Sequence, residues 1–93
     1  MAYTMLNYEG FEQWLVDSNV YCNGFCYEFQ FDNGYGASVI KHDYSYGHAN
    51  DLFELAVLDE DGNITYETYI TEDVIGWLDN DEVLDYLNQI QNI

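Results

Sequence analysis

The sequence predicts an α+β domain: a four-stranded, mainly antiparallel sheet, built as a meander of two hairpins, with one N-terminal helix and two C-terminal helices packed on one face. Three observations predict it. Apolar residues recur at spacings of three and four at both ends of the chain, they alternate with period two in the middle, and Asp, Asn and Gly clusters separate the alternating runs. At 93 residues without repeat, proline or linker, the chain reads as one domain, 1–93.

At the N-terminal end, Phe11, Trp14 and Leu15, with Tyr8, form a stripe over 8–17 that predicts a short amphipathic helix capped by Asn7. Ser18-Asn19 ends it. From Tyr21 the period becomes two, placing Phe25, Tyr27, Phe29 and Phe31 on one face of a strand and Cys26, Glu28 and Gln30 on the other. Asp32-Asn33-Gly34 is a tight-turn signal leading into a second strand, Tyr35 to His42. The polar, aromatic stretch 43–51 reads as an exposed loop. Leu52 to Leu58 predicts a third strand, 59–63 a turn, and Ile64 to Ile70 a fourth strand. Thr71 is a cap for a short helix from Glu72 to Leu78. Asp79 with Glu82 three residues on is a capping box that opens a last helix through Ile93, with Val83, Leu84, Leu87 and Ile90 on its apolar stripe.

Eighteen carboxylates stand against Lys41 alone, with no arginine, for a formal net charge of −17. Charge of that size works against the compact state and serves no folding need, so it bears on what the surface attracts. Disorder is excluded by the remaining composition: 48% of residues are hydrophobic and 18% aromatic, including ten tyrosines. The N-terminus has neither the positive start nor the apolar run of a signal peptide, and two cysteines make no disulfide framework, so the expected compartment is the cytoplasm. No apolar stretch reaches the ~20 residues that span a bilayer, and the charge opposes direct contact with anionic lipid or nucleic acid.

Tests for chemical sites come out against them. Asp59-Glu60-Asp61-Gly62-Asn63 resembles the start of a calcium loop, but its Gly falls fourth where the sixth position needs it, so a hairpin turn is the expectation. Cys22, Cys26, His42 and His48 lack zinc-site spacing, and they read as buried or half-buried free thiols and surface histidines. There is no nucleophile elbow, no phosphate-cradling glycine loop and no cationic cluster to hold an anionic substrate. The expectation is no catalytic residue, no cofactor and no enzyme activity.

What remains is electrostatic. Duplex DNA carries one charge per ~1.7 Å of axis, and same-face residues of a strand lie ~6.6 Å apart, so side-chain carboxylates can be spaced much as phosphates are. Candidate partner-binding acids are Glu28, Asp32, Asp43, Asp51, Glu54, Asp59, Glu60, Asp61 and Glu67, followed by Glu72, Asp73, Asp79, Asp81, Glu82 and Asp85 around the C-terminal helices. Those in first helical turns also serve the helix dipole. Tyr44 and Tyr46 join the set because tyrosine among carboxylates stacks on guanidinium groups.

The segments Gly36-Ala37-Ser38-Val39-Ile40, Leu52 to Asp59 and Ile70 to Gly76 look like pieces of small phage-borne proteins. In size, acidity and layout the chain resembles the anti-CRISPR proteins and other DNA-mimic inhibitors encoded by phages. The resemblance implies a protein that occupies the positively charged groove of a basic host protein or ribonucleoprotein, a CRISPR effector first among them, and blocks recognition of target DNA. The alternative expectation is a protein–protein adaptor of a phage or mobile element that works through an exposed sheet face, as a monomer or homodimer.

Overall fold

In the computed structural model, which describes residues 3–70 and 74–93, the described residues form a five-stranded antiparallel meander and one α-helix. The strands are β1 (Leu15–Tyr21), β2 (Gly24–Gln30), β3 (Gly36–Lys41), β4 (Phe53–Leu58) and β5 (Ile75–Leu78), in that spatial order, and the helix is α1 (Asn80–Gln91).

The middle of the sheet follows the alternation. Tyr27 and Phe29 of β2, Ala37 and Val39 of β3, and Phe53, Leu55 and Val57 of β4 point to one face and are buried. Helix α1 lays Val83, Leu87 and Ile90 onto that face, at one residue in three or four. Its start is the expected capping box: Glu82 N donates to Asp79 Oδ1 at 2.8 Å and Asp79 N donates to Glu82 Oε1 at 3.1 Å. The far half of the same face is covered by the N-terminal segment. There Leu6 is buried and its amide donates to the Tyr27 hydroxyl, Tyr8 meets the rings of Tyr27 and Phe29, and Asn7 and Asn80 exchange two hydrogen bonds.

Three expected elements differ. The N-terminal helix is absent: residues 12–14 make one 3-10 turn and the chain then enters β1. Gly10, at φ +95, turns the backbone left-handed just where a helix would need its first turns, and Val16-Asp17-Ser18-Asn19-Val20 is a run of weak helix formers. A two-residue turn at Cys22-Asn23, with φ of 46 and 66, then closes a hairpin with β2 in the geometry that matches strand twist. The predicted strand 64–70 is reduced to one bridge between Ile64 and Leu58: Ile64, Tyr66, Glu67 and Tyr69 are exposed, and the run meets the core through Ile70 at its end. In place of a helix from Glu72 to Leu78, β5 runs along β4; Thr71, Glu72 and Asp73, at the start of that expected helix, lie outside the described residues. Among the described residues the sheet thus has five strands where four were expected, and there is one α-helix where three were expected.

The strand β5 carries an irregularity with consequences. Phe53 pairs with Leu78 and Leu55 with Ile75, so β5 holds one residue more than β4 over the same stretch, a bulge in which Trp77 takes φ 57. A bulky residue in the left-handed region is strained, and here its ring is exposed while the neighbouring Leu78 is buried.

Candidate acidic and aromatic interface

Among the described residues, no α-helix lies on the sheet face turned away from α1. Reading the register across β1 to β4, one row is Asp17, Glu28, Ser38 and Ala56, and the next is Asn19, Cys26, Ile40 and Glu54. Asp17 and Glu28 are direct cross-strand neighbours, an arrangement that destabilises a sheet. No described side chain brings a positive charge to them.

One end of this face is aromatic. Tyr21 meets the His42 ring edge-on at 5.0 Å, and Tyr44 lies next along; His42, expected at the surface, is buried at this end of the face. The loop after β3 folds over the β4 side, where Tyr46 N donates to Glu54 Oε1 at 2.9 Å and the Tyr46 ring stacks on Trp77 at 5.5 Å and 24°. That stacking depends on Gly76, since a Cβ there would lie 2.6 Å from the Tyr46 Cβ. Tyr44 is 80% exposed, and Tyr46 and Trp77 are 57% exposed. A flat aromatic pair beside a carboxylate is a receptor for a guanidinium group.

Of the residues singled out from the sequence, the structure brings Glu28, Glu54, Tyr44 and Tyr46 onto this face. Asp43 lies at its rim, where it accepts from the Tyr3 hydroxyl and from Asn23 Nδ2; the Tyr3 bond first and the Asn23 bond second hold its carboxyl below the ordinary range. Sequence reasoning missed Asp17, Tyr21 and Trp77. Asp17 and Trp77 were hidden inside helices that do not form, and the Asn23-Gly24 pair was the signal that would have placed Asp17 and Tyr21 on a hairpin.

The other acids lie elsewhere. Asp32, Asp59, Glu60 and Asp61 sit on the two turns at the opposite end of the sheet, where Asp59 Oδ1 accepts from the amides of Asp61 and Asn63. Glu67 is exposed in the irregular stretch before β5. Asp79, Asp81, Glu82 and Asp85 belong to α1 on the far side, with Asp85 accepting from Gln89 Nε2. Glu72 and Asp73 lie outside the described residues.

Asp51 is used internally. It receives the Thr4 hydroxyl, the Thr4 amide at 2.8 Å and Lys41 Nζ at 3.0 Å; the Thr4 hydroxyl first, with the Thr4 amide and Lys41 behind it, holds its carboxyl down at about 2. Lys41 also donates to the Thr4 carbonyl at 2.9 Å, sits 3.8 Å over the Phe53 ring, and is 1% exposed. The only lysine in the chain therefore contributes nothing to the surface. By contrast, Glu28, Asp32, Glu60, Glu67 and Asp81 make no side-chain hydrogen bond or ion pair among the described residues.

Burial raises the Cys26 thiol above its ordinary pKa, which disfavours the thiolate. Among the described residues, no group of three or more His, Cys, Asp or Glu side chains is arranged to hold a metal ion, and no helix is long and apolar enough to cross a membrane. In comparisons with known proteins, no family model, curated protein or solved structure matches the chain.

Proposed function

We propose that this chain is a stoichiometric inhibitor of the DNA-mimic kind, anti-CRISPR in the first instance, acting in the cytoplasm of a bacterial host. It seats its carboxylates in the Lys/Arg groove that a defence ribonucleoprotein uses for target DNA. One observation carries this reading: Lys41 is enclosed, so the described surface offers many carboxylates and no ammonium or guanidinium group. A partner groove lined by cations then meets no exposed cation of the described residues to repel it, which speeds encounter. The Tyr46–Trp77 pair adds a stacking surface for arginine next to Glu54, as bases stack beside phosphates in the ligand being displaced.

Such an inhibitor needs no cofactor and no catalytic residue, and neither nucleic acid nor membrane is its direct partner. The test is a gel shift with a purified CRISPR effector ribonucleoprotein and its target duplex. An equimolar amount of the protein abolishes the shifted band, and the inhibition fades as salt rises from about 0.1 M to about 0.5 M. Replacing Glu28, Glu54, Tyr46 and Trp77 together weakens inhibition more than replacing Asp81 and Asp85 on α1. An unchanged shift at large excess across effector types removes the proposal.

A further inference from the structure

β1 ends the sheet, and no described residue hydrogen-bonds to its outer edge. Six of its seven residues are exposed, including Val16 at 59% and Val20 at 74%. Natural edges of this kind are commonly blunted by lysine, proline or a covering loop. This one has neither lysine nor proline, and its one bulge lies at the start, between Leu15 and Asp17. The two-residue turn makes Tyr21 and Gly24 a hydrogen-bonded pair, and the antiparallel alternation makes Asn19–Cys26 and Asp17–Glu28 the next such pairs. The amides and carbonyls of Ser18 and Val20 therefore point outward, two register positions apart.

The two sides of this edge differ in chemistry. On the α1 side, Met5, Ser18, Val20, Phe25 and Tyr27, with part of Asn19, line a shallow, mainly apolar cleft of about 170 Å³. On the open side lie Asp17 and its uncompensated neighbour Glu28, with Asn19 and Tyr21 beside them. A strand laid along β1 sends alternate side chains to these two sides.

We infer that β1 is a docking edge for an extended basic segment of a partner protein, which adds as a sixth strand with apolar side chains in the Met5–Val20–Phe25 cleft and Lys or Arg side chains against Asp17 and Glu28. The occupant is a cationic strand, and not a second copy of this chain, because a copy brings a further −17 and no exposed Lys or Arg from the described residues. A basic residue beside Asp17 also supplies the counter-charge that the Asp17–Glu28 pair lacks. Strand addition of this kind is separate from DNA mimicry, since it requires backbone pairing and a defined register, which a phosphate-like surface does not.

The probe is a labelled eight-residue peptide alternating valine with lysine or arginine, followed by fluorescence polarisation and by amide hydrogen exchange of the protein. Binding is expected, with slowed exchange at Ser18 and Val20. N-methylation of the peptide amides that face the edge weakens binding by about tenfold or more, as does exchanging its basic residues for glutamate. Val20→Pro removes an outward amide and weakens binding similarly; should that variant fold poorly, the N-methylated peptide probes the same backbone contact on the unaltered protein. Equal binding of the N-methylated and parent peptides overturns the inference while leaving the polyanion reading intact. So does protection confined to other strands, or light scattering that shows two copies joined through β1.

Discussion

Lys41–Asp51 and Asp17–Glu28 are two places where charge meets charge in this molecule, and they are built on opposite rules. In the first, an ammonium 1% exposed is held by Asp51, the Thr4 carbonyl and the Phe53 ring, and it ties the N-terminal segment to the β3–β4 end of the sheet. In the second, two carboxylates face each other across a strand pair with nothing opposite in sign nearby. The contrast teaches that this fold can satisfy a charge when structure requires it. The Asp17–Glu28 pair is left without a counter-charge by the same sequence that placed its only cation inside.

The sharpest way to break the first region is Asp51→Ala, which strands the Lys41 ammonium where its side chain is 2% exposed. It should cost about 3 kcal/mol in urea unfolding, whereas Lys41→Met, which leaves a carboxylate whose side chain is 46% exposed and still wet, should cost about 1 kcal/mol. Equal costs would mean that the two partners are equally solvated and that the enclosure of Lys41 is immaterial.

A second measurement sharpens the comparison through pH. Because the Asp51 carboxyl is held at about 2 against an ordinary 3.8, its contribution is fully present above the ordinary value and disappears as pH falls through the folded one. The stability gap between the wild-type protein and Asp51→Asn should therefore narrow on acidification from about pH 6 to about pH 2, as read from urea midpoints. A gap that widens on acidification would contradict the sign of this linkage.

The smallest effect belongs to the second region and runs the other way. Asp17→Asn relieves a like-charge pair and should stabilise the fold by about 0.5 kcal/mol at low salt, with the gain shrinking as salt is added. The same change should weaken binding of the basic peptide. A variant that loses both stability and binding would show that Asp17 is a structural residue.

How much of this was legible beforehand depends on whether a segment's pattern was enforced by burial. The β2–β3 hairpin, β4 and the Asp79–Glu82 box were readable, because the alternating Phe25 to Phe31 run and the Val83–Leu87–Ile90 stripe each have a core to face. The stripe of Tyr8, Phe11, Trp14 and Leu15 was genuine too, but it packs against Phe31, Tyr27 and Phe29 from a turn and a strand start, which reproduce helical spacing over so few residues. Residues 64–70 alternate without forming a strand, since Ile64, Tyr66 and Tyr69 are exposed and the segment meets the core through Ile70 at its end. Acid count and tyrosine count were visible, whereas their grouping was not: beyond the β1–β2 turn at Cys22-Asn23, it depends on cross-strand register over longer connections and on the bulge at Trp77.

The enclosure of Lys41 also fixes how the chain meets proteases. Trypsin cuts after lysine or arginine, so the whole sequence offers it a single bond, Lys41–His42, at the end of a central strand with both flanking side chains buried. Cleavage there requires β3 to leave the sheet, which makes one tryptic event a report of cooperative opening and leaves the native molecule with no loop or terminus for that enzyme to trim.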